Sequence, residues 1–440
     1  MKLLIIGEGG REHALAWKAA QSPLVSHIYV APGNAGTALE GIRHPTACPI
    51  DNIEIGSTDI AQLVTFAQQN QVGLTWVGPE KPLVQGIVDA FREADLAILG
   101  PTQAAAQLEG SKAFMKAFLQ RHRIPTADYQ IFTEIPAALA YLRQPQLAPK
   151  PWVIKADGLA AGKGVTVAAT LAEAEAAASS MLSGEAFGEA GRRIVIEEFL
   201  VGEEVSFMVL VDGQQLLPLA TSQDHKAIGE GDQGANTGGM GAYSPAPIVT
   251  ETLQERILQE IIWPTVRGMA LEGTPYTGFL YAGLMILPDG SPKVIEFNCR
   301  LGDPEAQALL LRLRSDLVAL SLATVAGQLQ QCTIDWDPRS ALGVVLTTSG
   351  YPGPCPSGEV ITGLPTEELL NPTDTSQKLF FCGTHLVDDQ VLTQGGRVLC
   401  ATALGDTLAI AQSSAYQLAQ QLHWPGLYYR RDIGHRALQR

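Results

Sequence analysis

The chain has 440 residues, 46% hydrophobic and 17% charged, with a formal net charge of −15. That balance is too apolar for disorder and gives length for about three domains. Its global field repels nucleic acid and anionic membranes, so neither is an expected partner, and a phosphate ligand requires a locally positive pocket.

The opening "MKLLIIGEGGREHALAW" reads as a buried strand, a glycine turn and a helix whose first N–H groups face any anion at the turn. Gly9 and Gly10 either build that anion site, with Arg11, or merely permit a tight turn. A dinucleotide fingerprint needs a third glycine where Glu12 stands, and an acid after the next strand, where "HIYVAPGNAGT" has none. Gly33, Asn34, Gly36 and Thr37 predict a second nest of N–H donors, so a sugar phosphate is expected rather than a nicotinamide cofactor. Alternating strands and helices continue to about residue 100, implying a doubly wound parallel sheet with ligands at the strands' carboxyl ends. Gly78, Pro79 and Glu80 in "VGPEKPL" lie at such an end.

A second region begins at about residue 104, where Ser111 caps a helix with Lys112 in its first turn. "WVIKADG" places Lys155 on a strand, and "LAAGKGVTVA" is a glycine loop carrying Gly162, Lys163 and Gly164. Its spacing is not that of a phosphate-binding G-x-x-x-x-G-K-[ST] loop, so it is either a flap over phosphates or a glycine hairpin with a solvated lysine. "VIEEFLVGEEVSF" supplies two strands around Gly202, and "TSQDHKAIGEGDQGANTGGMGAYSP" is too long for a simple connector and is read as a functional loop. A hairpin follows in "YAGLMILPDGSPKVIEFN", and from about residue 330 a smaller mixed region ends the chain.

In "KVIEFNCR" Glu296 and Asn298 share one strand face, about 7 Å apart along the backbone. Oxygen ligands so placed suit Mg²⁺ beside a polyphosphate, and Arg300 on the same face suits a transferring phosphoryl group. The alternative is a polar face on an edge strand. The glutamates of "EEFLVGEE" either solvate the surface or seat a nucleotide, with backbone groups near Glu198 and Leu200 on adenine and with Glu197 and Glu204 on the amine and ribose.

Lys112, "VIKADG", the glycine loop, "EEFLVGEE" and "VIEFN" together resemble the ATP-grasp enzymes. With "GEGGREHALAW", "PGNAGT", "VGPE", "SQDHK", "NTGGMGAYSP" and "CRLGDPE", the likeness narrows to the phosphoribosylamine–glycine ligases, or glycinamide ribonucleotide synthetases, and spans essentially the whole chain. The resemblance implies an α/β ATP-grasp architecture. An N-terminal domain at 1–103 carries the sugar-phosphate loops, an ATP-binding region covers 104–329 with a mobile lobe at about 126–193, and a small α+β domain covers 330–440. It further implies ATP between two lobes: Lys112 and Lys155 on the phosphates, the Lys163 loop folding over, Glu197, Leu200 and Glu204 on adenosine, and Mg²⁺ or Mn²⁺ on Glu296 and Asn298. "YAGLMIL" lacks the acid with which many relatives complete the metal site, so ATP oxygens and water must fill the shell.

The implied reaction joins glycine to 5-phosphoribosylamine through glycyl phosphate, in de novo purine biosynthesis. Neither step needs a protein nucleophile, in keeping with a sequence lacking G-x-S-x-G or an obvious Cys/His arrangement. Asp224, Asp303 and Glu305 are candidates for the two amines, or else pair structurally with basic residues. Lys226 joins the substrate-binding set, Arg300 is placed on carboxylate or phosphate, and His225 is expected to be a loop hydrogen-bonder. Six cysteines without a C-x-x-C pair predict reduced thiols in a cytoplasmic enzyme, and a monomer is expected. The rival readings are an NAD-dependent oxidoreductase and a catalytically silent nucleotide sensor.

Overall fold

The computed structural model describes residues 1–43, 48–144, 151–159, 164–184, 188–364 and 376–440. Its first sheet is parallel, in the order Ile50–Asn52, His27–Pro32, Lys2–Gly7, Val72–Val77, Ile98–Leu99. Leu3 and Ile5 point into one core and Leu4 and Ile6 into another, which explains the unbroken apolar run of a strand covered on both faces. The chain leaves Lys2–Gly7 toward one edge and returns to Val72–Val77 on its other side. The order therefore reverses between these two strands, and a crevice opens beyond their carboxyl ends.

A second sheet, in the order Tyr129–Phe132, Ile194–Glu198, Trp152–Ala156, Val165–Ala168, is antiparallel and packs the helices Ile135–Leu142 and Leu171–Leu182 around its own small core. A third runs Leu216–Pro218, Glu203–Asp212, Thr277–Ile286, Pro292–Asn298. The strands on either side of Gly202 thus enter different sheets. In the third sheet Ser206, Gly283 and Glu296 form one cross-strand row, and Tyr281 pairs with Asn298 in the next, so polar side chains gather on one face.

The fourth sheet takes Gln223–Asp224 and Gly241–Ser244 from the long glycine-heavy passage and joins them to Ser340–Thr347, Arg397–Gly405 and Gln377–Phe381. That passage is thereby fixed against the C-terminal part of the chain. Among the described residues, no helix is long and apolar enough to cross a membrane.

Candidate active site

A cavity of about 530 Å³ lies where the first, third and fourth sheets meet. Its first wall is the reversal point of the parallel sheet: Gly7, Glu8 and Gly9 end one strand, and Pro79 and Glu80 follow the other. Glu12, 2% exposed, shapes this wall. Its carboxylate accepts the Gly9 N–H at 2.6 Å and the Arg11 Nε–H at 2.5 Å. A Cβ on Gly7, which sits at φ +130°, would stand 2.5 Å from Glu12 Cγ, and Gly78 packs against the same side chain. These glycines make room for an internal carboxylate, and the Gly9 donor expected to meet a ligand is already occupied. Arg11 reaches across to the Leu301 carbonyl at 3.1 Å.

The second wall is the polar face of the third sheet. Glu296 lies 3.3 Å from Lys226 Nζ. Lys226, foremost, with Lys155 and Lys112 holds the Glu296 carboxyl down to about 2 against the effect of burial. Lys112 sits at the first position of the Ser111-capped helix, where Ser111 Oγ accepts the Phe114 N–H, and its Nζ donates to the Gly158 carbonyl at 3.1 Å. Burial lowers the Lys112 pKa, with Glu296 opposing. Asn298 Oδ1 accepts from Arg300 Nη2 at 3.0 Å, and the same nitrogen donates to Glu109 at 2.8 Å. Arg300 Nε faces Glu80 at 3.3 Å, which connects this wall to the first.

The third wall is acidic. Asp224 is half-buried beside Glu305, and desolvation followed by that like charge drives its pKa well up. Its Oδ1 has no hydrogen-bond partner among the described residues. Glu305 Oε1 accepts from Ser206, whose hydroxyl also pairs with Tyr281, both at 2.9 Å. Burial pushes the Asp303 carboxyl up, but Arg397 and Arg11 outweigh it and hold it below its ordinary value. Arg397 donates to the Gly238 carbonyl at 2.6 Å and to that of Asp303 at 2.5 Å. His225 lies behind this wall and accepts the Gly434 N–H at 3.2 Å; burial, then Arg430 and Arg436, keep it neutral with a pKa near 3.

The structure therefore brings Gly9, Arg11, Pro79, Glu80, Lys112, Gly164, Asp224, Lys226, Glu296, Asn298, Arg300, Asp303 and Glu305 to one cavity. Other expected residues stand elsewhere. Gly10 packs against Gln307 and Cys382. The second nest is filled from within: the Gly36 and Thr37 N–H groups donate to Asn34 Oδ1 at 2.8 and 3.1 Å, while Asn34 Nδ2 donates to the Glu8 carbonyl at 2.8 Å. Gly33, Asn34, Gly36 and Thr37 thus brace the Glu8–Gly9 turn from the far side of the strand-order reversal.

Glu197, expected on the adenine amine, is 3% exposed and locked between Lys116 at 3.0 Å and Lys155 at 3.1 Å. A carboxylate so buried requires such partners. Lys155 also donates to the Ile295 carbonyl, so it braces the strand that carries Glu296 and Asn298. Glu198 accepts from Lys293 at 3.0 Å, Leu200 is half-buried, and Glu204 pairs with Lys226. Gly162 and Lys163 lie outside the described residues. Sequence reasoning missed Glu12's cap, Glu109, Tyr281 and Arg397. Only Glu12 gave a local signal, as an acid at the third position of a helix with no side chain at its cap.

Comparison with known proteins agrees along the chain. Residues 1–109 match the family model described as phosphoribosylglycinamide synthetase, N domain; 110–306 match its ATP-grasp (A) domain, and 341–436 its C domain. A phosphoribosylamine–glycine ligase of Yersinia pestis is 63% identical over 441 residues, covering 100% of both chains. The crystal structure of the phosphoribosylamine–glycine ligase from Thermotoga maritima superposes with a TM-score of 0.83 at 31% identity, over 99% of this chain and 100% of that one. The biotin carboxylase domain of a 2-oxoglutarate carboxylase from Hydrogenobacter thermophilus shares the fold, with a TM-score of 0.70 at 15% identity over 97% and 91% of the two chains.

Proposed function

The chain belongs to the phosphoribosylglycinamide synthetase family, and on that premise we propose that its cavity ligates glycine to 5-phosphoribosylamine with ATP, giving glycinamide ribonucleotide, ADP and phosphate in purine biosynthesis. The observation that carries the site assignment is the convergence, in one cavity, of Glu296, Asn298 and Arg300 with the acidic wall of Asp224 and Glu305 and the strand ends at Gly9 and Glu80.

A carboxylate does not condense with an amine unaided. A glycine carboxylate oxygen attacks the γ-phosphorus, ADP leaves, and glycyl phosphate forms; the ribosyl amine then attacks the acyl carbon and phosphate departs with that oxygen. Positioning and charge neutralisation supply most of the rate in such transfers. Lys112 and Lys226 neutralise the triphosphate, and Arg300 stabilises charge on the transferring group. The partnerless Asp224 oxygen, with Glu305 behind it, receives a substrate ammonium. Asp303 orients Arg397, which with Arg11 faces the sugar phosphate. Lys155, fixed by Glu197, and Lys163 of the glycine loop serve the nucleotide, as do Glu198, Leu200 and Glu204 around adenosine. We place the lobe about 126–193 as the cover and assign the three-part division at 103 and 329 to the same scheme.

The family uses ATP with a divalent metal. Glu296 and Asn298 offer two hard donors, an ionised, lysine-lined carboxylate and an amide oxygen, a set that fits Mg²⁺ or Mn²⁺. Among the described residues no three His, Cys, Asp or Glu side chains converge as a metal site, so Glu296 and Asn298 would hold the ion together with nucleotide oxygens and water. Bound there, the metal neutralises and orients the phosphates. The enzyme is taken to act as a cytoplasmic monomer on small molecules alone.

Phosphate release measured with each substrate omitted in turn tests this reading. Release should require ATP, glycine and phosphoribosylamine together; full release without the amine overturns it.

A further inference from the structure

Glu109 stands on the short helix Gln107–Gly110, just before Ser111 and Lys112, and its side chain is 7% exposed. One carboxylate oxygen accepts the Cys299 N–H at 2.6 Å, and the other accepts Arg300 Nη2 at 2.8 Å. A single side chain thus grips both the backbone and the guanidinium of the turn that follows the metal-face strand. That guanidinium in turn donates to Asn298 Oδ1 at 3.0 Å. An amide oxygen has two lone pairs, so a donor fixed on one of them decides which way the amide faces and leaves the other for a ligand. Charge-assisted bonds of this kind are short and directional, and among the described residues Glu109 is the only partner of Arg300 that also holds the adjoining backbone.

We propose that Glu109 is a positioning residue for phosphoryl transfer. Through Arg300 it sets both the guanidinium that meets the transferring group and the Asn298 oxygen beside it, and it ties them to the segment bearing Lys112. This rests on the function proposed above, because Arg300 matters to catalysis only if phosphoryl transfer occurs in this cavity.

The test is a double-mutant cycle in the full chain with Glu109→Gln, Arg300→Lys and the pair. Gln is isosteric and still accepts the Cys299 N–H. Misplacing a reacting group by about an ångström costs on the order of 100-fold. Glu109→Gln should accordingly lower kcat by roughly 10- to 100-fold while KM for ATP moves less than about threefold, and it should cost less than about threefold once Arg300→Lys is present. A crystal structure of Glu109→Ala should show the Arg300 guanidinium withdrawn from Asn298. An unchanged kcat, an equal cost in both backgrounds, or an Arg300 still bonded to Asn298 overturns the proposal. If the parent enzyme releases no phosphate with all substrates present, the functional reading fails, and the crystallographic comparison still decides whether Glu109 positions Arg300.

Discussion

Replacing Glu12 by alanine tests whether the glycine turn is a preformed anion cradle or a scaffold organised by its own carboxylate. The substitution removes two buried charge-assisted hydrogen bonds, from the Gly9 N–H and from Arg11 Nε, at 2.6 and 2.5 Å. Bonds to charged groups are each worth about 1.5–3 kcal/mol, and the favourable placement of an acid at a helix N-terminus adds several tenths. Water reaching the vacated space from the cavity restores part of this, leaving an expected loss of about 3 kcal/mol. Arg11, freed from Glu12, should turn toward Glu80 and Asp303, so the wall proposed for the sugar phosphate loses its shape while that proposed for the nucleotide does not. Urea unfolding should show the destabilisation, and initial rates should show KM for phosphoribosylamine raised about tenfold with KM for ATP within about twofold, tenfold being the equivalent of 1.4 kcal/mol in binding. A variant of unchanged stability and unchanged sugar KM refutes the reasoning, because the N–H groups would then have served the ligand without the carboxylate.

Three further outcomes follow from the same geometry. Glu296→Ala should abolish turnover at ordinary magnesium with the fold intact by circular dichroism; full activity removes the metal assignment. Arg11→Ala should raise KM for the sugar phosphate more than KM for ATP, and an equal change in both moves the phosphate site elsewhere. Burial pushes the Glu40 carboxyl up, but Lys378 and His13 outweigh it and hold it down to about 2, below an ordinary value of 4.5. Its contribution, about 3 kcal/mol, is therefore present in full above pH 4.5 and is lost as pH falls toward 2. Urea midpoints for Glu40→Gln should lie below the parent at pH 7 and meet it near pH 2; a constant gap across that range contradicts the assignment.

The parts of the site that a single segment determines were legible in the sequence. The "VIEFN" alternation puts Glu296 and Asn298 on one face whatever surrounds it, and Ser111 caps its helix through a bond to Phe114 only three residues away. Features decided by partners distant in sequence were not legible. Gly33 to Thr37 has the composition of an anion nest, yet Asn34 fills its own turn, and its amide nitrogen also donates to the Phe381 carbonyl 347 residues along the chain. Glu197 reads like its glutamate neighbours until Lys116 and Lys155 are seen to enclose it. Glu109 gives no periodic or motif signal at all, since its role depends on a backbone amide 190 residues away.

The charge of the cavity makes one further point about how it works. A site for a triphosphate and a sugar phosphate is expected to be positive, and the chain's charge of −15 makes that demand sharper. Instead, among the described residues, eight carboxyl groups and five basic side chains line it. Three of the carboxyls, Glu8, Glu109 at about 7 and Asp224 well above its ordinary value, are driven toward the neutral form chiefly by desolvation. Most of the others are spent on fixing a cation: Glu12 on Arg11, Glu80 on Arg300, Glu296 on Lys226, Asp303 on Arg397. The cations of the described lining are thus held in place by carboxylates before any ligand arrives. On the function proposed above, a divalent metal on the phosphates and an ammonium at Asp224 would add to that positive charge. A cavity so filled would favour the complete set of reactants over any one of them, which is what a ligase needs if it is not to hydrolyse ATP in the absence of an amino acid.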